Sequence, residues 1–289
     1  MALLKKDGTR MKAEKTQKLS NAEKIALLKQ ADKMMPFAQN VAAAPSAAPP
    51  PGWKVLATAD PKQGNSGLFA KIYERTTPAL PGTPKYIVAF RGTKVKDFND
   101  LSSDVEIAFL KIPRQYWQAL AFVQNTCREN GVDPAEMEFT GHSLGGYLAH
   151  TVGTTLGAKH IWTFNAPGPS RKIARRLEKE IPGISAPPGK GLVQIRTAND
   201  ITSIWGYKEG ITISLAMQGR PHNLRNLAAA IKDTINGKPL RPVALPPKDS
   251  LAAIFDAVAS RIARARLAAR IVKDIVGGKL EKSPPPRGA

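Results

Sequence analysis

Glu138-Phe139-Thr140-Gly141-His142-Ser143-Leu144-Gly145-Gly146 is the stretch on which the fold turns. Its kernel is Gly-x-Ser-x-Gly. The residues before it, Met137–Thr140, form a short apolar run and predict a strand. The residues after it, Leu144–Leu156, predict a helix. A Gly-x-Ser-x-Gly between a strand and a helix is a sharp turn that exposes the serine hydroxyl above a sheet edge. Gly141 and Gly145 keep the neighbouring chain small enough for that turn to close. The helix would aim its positive N-terminal end at the site, where negative charge can be held. Ser143 is therefore a candidate nucleophile, with His142 as the residue before it. The alternative is a plain Gly/Ser turn in which Ser143 only caps the helix.

Outward from this turn, strands and helices alternate. Trp53–Ala59 and Leu68–Arg75 flank Pro61–Gly67, which is rich in turn formers, and predict a β-hairpin. Tyr86–Phe90, His160–Phe164 and Leu192–Arg196 predict buried strands. Pro113–Asn130 and Arg171–Ile181 predict helices. Apolar strands separated by helices indicate an α/β domain with a largely parallel sheet. No repeat with a period of about 20–50 residues is visible.

A serine hydroxyl needs a base, and the base needs an orienting acid. On strand–turn–helix elbows of this kind the chain order is Ser, then acid, then His. The chain has four His. His142 lies inside the turn, His150 two turns along the helix, and His160 opens the next strand. Only His222 lies beyond an acid. Between Ser143 and His222 stand Asp200, Glu178, Glu180 and Glu209. Asp200 follows a strand's C-terminal edge, where α/β sheets place their sites, and is the candidate acid. Its alternative is a turn-forming Asp. An oxyanion needs donors. The Leu144 N–H follows the nucleophile. A second donor is expected from the loop Phe90-Arg91-Gly92-Thr93, at Thr93, with Arg91 holding the loop and Asp104 one candidate partner.

Phe90-Arg-Gly-Thr93, Thr140-Gly-His-Ser-Leu-Gly-Gly146, Thr163-Phe-Asn-Ala-Pro167, Asn199-Asp200 and Pro221-His-Asn-Leu224 together resemble the class 3 lipase family of α/β-hydrolases. The resemblance covers roughly residues 53–225. It implies an α/β-hydrolase fold with a mostly parallel central sheet and hydrolysis of acyl lipids. It also implies a triad of Ser143, Asp200 and His222, an oxyanion hole of Thr93 and Leu144, and a lid over about 94–110. The chain differs in having Asp100-Leu101 where the family has Asp-Trp, and Ile201-Thr-Ser-Ile-Trp-Gly206 after the acid. No metal or organic cofactor is implied. Two other readings stay open. One is a small-ester esterase or acyltransferase on the same triad. The other is a non-catalytic scaffold that binds membrane or nucleic acid through basic ends.

Composition bounds the rest. The 289 residues carry 43 Lys plus Arg against 23 Asp plus Glu, a net charge of +20. Residues 1–52 and 237–289 hold 12 of those 20 net charges. Such a field attracts anionic surfaces. An acyl-lipid substrate is the expected partner, with an anionic membrane surface as one setting for it; the alternative is basic tails with no particular anionic partner. Nucleic acid is not expected, since the central residues lack a zinc-finger pattern or an aromatic RNA-binding signature. One Cys excludes an internal disulfide and a cysteine-built zinc or iron–sulfur site within this chain. Oligomeric state is left open.

The expected organisation has three parts. Residues 1–52 are a basic helix over 11–35, ended by Pro36, and an extended Ala/Pro-rich linker over 42–52. Residues 53–247 are the hydrolase-like domain. Residues 248–289 are a basic helical extension with a Pro-rich tail. The start lacks the roughly 7–15 apolar residues of a secretory signal. That leads to an expectation of cytoplasmic synthesis, with signal-independent export through the N-terminal extension as a hypothesis.

Overall fold

The structure is a computed structural model and describes residues 19–60, 67–78, 83–92, 114–169, 173, 191–198, 200, 203, 210–217 and 219–238. The chain divides into two compact units, Met1–Val243 and Ala244–Ala289. The expected helix over 171–181, the lid segment and the C-terminal extension lie outside the described residues, apart from Ile173.

Seven strands form one sheet in strictly sequential order. They are β1 (Trp53–Ala59), β2 (Ala70–Arg75), β3 (Tyr86–Phe90), β4 (Met137–His142), β5 (His160–Phe164), β6 (Leu192–Thr197) and β7 (Ile211–Leu215). β2 runs antiparallel to both its neighbours, and β3 through β7 are parallel. Among the described residues four α-helices accompany them: α1 (Asn21–Ala42), α2 (Arg114–Asn130), α3 (Leu144–Thr155) and α4 (Leu224–Ile235). The fold is α/β with a mostly parallel sheet, as the alternation of strands and helices indicated.

The period of two along each strand splits the core into two layers. Tyr86, Val88 and Phe90 join Phe139 and Ile161 on the face packed by Tyr116, Leu120 and Val123 of α2 and by Tyr147 and Leu148 of α3. Ile87 and Ala89 join Trp162, Phe164, Val193 and Ile195 on the other face. That second face is covered by α1 and α4. There is a reason it must be these two. A parallel sheet buries both faces. Right-handed crossovers between strands laid down in sequential order put their helices on one side only. The opposite side has to be covered by helices before and after the strand series.

This corrects the expected domain start at Trp53. Leu28, Ala31, Met35, Phe37, Ala38 and Val41 of α1 are buried on the sheet, so the helix belongs to the domain core. It also runs through Pro36 to Ala42 rather than ending there. A proline inside a helix costs about 3 kcal/mol. Packing around it offsets that cost. Phe37 meets Trp53 and Tyr73 edge to face, with centroids 4.9 and 5.1 Å apart. Asn40 Oδ1 accepts from Tyr73 Oη at 2.8 Å and from Lys71 Nζ at 3.1 Å. The helix start carries a reciprocal cap: the Ser20 N–H donates to Glu23 Oε2 at 2.8 Å and the Glu23 N–H to Ser20 Oγ at 3.2 Å. The linker folds back as well. Lys71, buried on β2, donates to the Ala47 carbonyl at 3.3 Å.

Candidate active site

The elbow is built by contacts that leave no room for side chains. A Cβ on Gly141 would overlap the Gly145 carbonyl. One on Gly145 would overlap the Phe90 carbonyl and stand 2.8 Å from Gly92 N. The segment leaving β3 therefore crosses directly over the first turn of α3. A Cβ on Gly92 would stand 2.8 Å from the His142 carbonyl and 3.3 Å from Ser143 Cβ. Ser143 itself has φ 56° and ψ −129°, a positive-φ conformation that a residue with a Cβ resists. Its N–H donates to the Phe164 carbonyl at 3.0 Å, which pins the turn to β5. The side chain makes no helix cap. That separates Ser143 from the capping alternative.

Asp200 and His222 come together beside this elbow. His222 Nδ1 lies 3.1 Å from both Asp200 carboxylate oxygens. Asp200 is 1% exposed. A carboxylate only accepts, so Nδ1 carries a proton, and in the neutral imidazole Nε2 is the acceptor. His222 Nε2 and Ser143 Oγ are both buried, and neither has a hydrogen-bond partner among the described residues. Two unpaired polar atoms, one a donor and one an acceptor, are what an unliganded serine–histidine pair leaves before substrate tightens it.

His142 sits against His222, with ring centroids 4.7 Å apart and planes at 42°. Its Nε2–H donates to the His222 carbonyl at 3.0 Å. Burial, and then the neighbouring His222, push the His142 imidazole down to about 3; the bond to the His222 backbone opposes them. His142 is therefore neutral near pH 7.

Leu144 is the first residue of α3, so its N–H is one of those the helix itself does not use. Thr93 and Asp104 lie outside the described residues. Arg91 places its guanidinium 4.2 Å from the centroid of the Phe69 ring. Two side chains that the sequence reading passed over hold the turn carrying His222. Asn165 Nδ2 and Thr197 Oγ1 each donate to the Pro221 carbonyl at 2.9 Å. Asn165 follows β5 with φ 45°; it lies in Thr163-Phe-Asn-Ala-Pro167, but nothing in that stretch marks its bond to Pro221 O. β7 and α4 were also passed over, although Ile211-Thr-Ile-Ser-Leu215 alternates and Asn223 caps α4 by accepting from Arg225 N and Asn226 N.

Among the described residues no group of three His, Cys, Asp or Glu is arranged to hold a metal ion, and no helix is long and apolar enough to cross a membrane.

The sheet, the elbow and the order Ser, Asp, His along the chain are those of the α/β-hydrolase fold. Several solved structures are similar. The extracellular lipase LipA from Serratia marcescens is 14% identical with a TM-score of 0.31, over 64% of this chain and 40% of that one. The carboxylesterase EstE1, cloned from a metagenomic library, is 14% identical with a TM-score of 0.29, over 78% of this chain and 100% of that one. An arylesterase is 13% identical with a TM-score of 0.35, over 73% of this chain and 88% of that one. No curated protein sequence matches the chain. Residues 33–224, about two thirds of the length, match the Tle-like phospholipase domain, and the chain belongs to that phospholipase-like family.

Proposed function

We propose that the chain hydrolyses carboxylic esters of acyl lipids, phospholipid first among them, through Ser143, His222 and Asp200. Ser143 Oγ attacks the ester carbonyl and its proton passes to His222 Nε2. The tetrahedral oxyanion is held by the Leu144 N–H and by a donor at Thr93. The carbon–oxygen bond to the alcohol breaks as His222 returns the proton to that oxygen. Water then repeats the sequence on the acyl-enzyme, releasing the fatty acid and regenerating Ser143. Asp200 keeps the proton on Nδ1 and stabilises the imidazolium that forms.

One observation carries the reading. His222 is anchored through Nδ1 to both oxygens of a buried carboxylate, its Nε2 stays unpaired, and its ring packs on His142, the residue before a serine that is itself unpaired in a strained turn. Lipid rather than small ester is supported by the family's phospholipase character, by the resemblance to class 3 lipases, and by a net charge of +20 that draws the chain to anionic surfaces. The test is hydrolysis of a short-chain ester and of anionic phospholipid vesicles by wild type, Ser143→Ala and His222→Ala. Both variants should lose about 10⁴-fold or more in kcat. Wild type should prefer vesicles. Retained activity in Ser143→Ala removes the serine mechanism, and equal rates on dissolved ester and vesicles remove the lipid preference.

A further inference from the structure

His222 stands on an irregular turn between β7 and α4, so no ladder or helix fixes its distance from the elbow. Local bonds set only the shape of the turn: the Asn223 N–H donates to the Arg220 carbonyl at 3.1 Å. The turn is held against the sheet by its carbonyls instead. Asn165 Nδ2 and Thr197 Oγ1 both reach Pro221 O, and His142 Nε2 reaches His222 O. The donors come from the C-terminal ends of β5, β6 and β4, three adjacent strands. Asn165 does most. It is fully buried, its N–H donates to Ile195 O at 2.9 Å, and its Oδ1 accepts from the Thr197 N–H at 2.8 Å. Its φ of 45° is a conformation that Asn tolerates better than other residues with a side chain. Asn165 thus spans two strand ends and the turn.

We propose that Asn165 is a positioning residue for the reaction: its amide, seconded by Thr197 and His142, holds the His222 backbone at the distance from Ser143 that proton transfer needs. The proposal rests on the reading of His222 as the base. None of the three takes a part in the bond-making steps proposed above. Their effect is on geometry, where a displacement of about 1 Å costs about 10²-fold in rate.

Asn165→Asp is the sharpest probe. The shape, the tolerance of positive φ and the acceptor for Thr197 N–H all remain. The atom facing Pro221 O changes from a donor to an oxygen. A protonated carboxyl can still donate to that carbonyl; an ionised one repels it. Burial raises the pKa of a carboxyl. The ratio of variant to wild-type kcat should therefore be within about threefold at acid pH and fall about 10–100-fold as pH rises, with KM little changed. Among the described residues, the titratable and charged groups at the strand ends and turn meeting here are His142, Arg196, Asp200, Arg220 and His222, with Glu138 and His160 at the other ends of β4 and β5 and Arg225, Lys232 and Asp233 along α4. All are present in both enzymes, so the ratio isolates the new carboxyl.

Asn165→Gly accepts φ 45° and removes the amide outright. It should lose about 10²-fold in kcat at every pH. Rates are counted per fluorophosphonate-labelled site, with a thermal melt at each pH, so that loss of folded protein is separated from loss of turnover. Ser143→Ala and His222→Ala are run beside them. If those two stay active, the serine–histidine reading has failed. If they are silent while both Asn165 variants keep kcat within about twofold per site, the positioning role has failed alone. Should Asn165→Asp not fold at alkaline pH, Asn165→Gly decides at that pH.

Discussion

The two halves of the candidate site are specified in opposite ways. The elbow is made by what is missing. Within nine consecutive residues, Gly141 and Gly145 let backbone meet backbone, and the Phe90–Gly92 segment lies on them with no side chain between. The turn that carries His222 is made by what is added. Its carbonyls are held by donors 80, 56 and 24 residues away in sequence. A nucleophile needs one local backbone conformation, which a short motif can encode. A base needs several strand ends to converge, and no contiguous motif records that.

The contrast breaks most readily at the elbow. Gly145→Ala puts a Cβ against the Phe90 carbonyl, with Arg91 C and Gly92 N each at 2.8 Å. These are backbone atoms of a strand end and cannot swing aside. The expected result is loss of about 3 kcal/mol or more and no labelling by a fluorophosphonate. Gly157→Ala is the control. Gly157 has φ 70° but nothing within 4 Å of its Cβ position, so only backbone strain of about 1 kcal/mol is expected. Equal melting temperatures for the two variants would mean the elbow is not close-packed.

The same contrast explains what could be read in the sequence. The elbow, Asp200 and His222 were legible because a motif and a chain order point to them. Six of the strands were legible from runs such as Tyr86–Phe90. The N-terminal helix was misjudged at Pro36, since local propensity opposes a proline that tertiary packing keeps. Ser20 and Glu23 carried the cap signal, and the need to cover the second sheet face supplies the reason for the helix. Asn165 and Thr197 were not legible, because a strand-end Asn or Thr is commonplace until the Pro221 carbonyl is seen between them. His142 is intermediate: its place was plain, its bond to His222 O was not.

His142 supplies the next test. Its pKa in the folded chain, about 3, lies below the unfolded value of 6.5. Above pH 6.5 both states are neutral at this group and stability is complete. As pH falls from 6.5 toward 3 the unfolded chain takes up the proton first, so stability is lost on acidification, on the order of 2–5 kcal/mol by pH 3. His142→Gln keeps an N–H donor for the His222 carbonyl and removes the titration. Its melting temperature should fall less than that of wild type between pH 6.5 and 4. Parallel curves would show that His142 protonates freely in the folded state.

Thr197→Val should have the smallest effect and divides the clamp most finely. Valine keeps the shape, and the Thr197 N–H to Asn165 Oδ1 bond is a backbone bond that survives. The hydroxyl goes, and with it the bond to Pro221 O and a 3.1 Å contact to Met217 Sδ; Asn165 Nδ2 still satisfies that carbonyl. A loss of about 1 kcal/mol in stability and about 3–10-fold in kcat is expected. Combined with Asn165→Gly, the carbonyl loses both donors and is left part-buried and unpaired. That penalty falls on the double variant alone, so its loss in kcat should exceed the product of the two single losses. A simple product would mean that each donor acts through its own strand rather than through the shared carbonyl, and the turn would then be held by packing, not by hydrogen bonds.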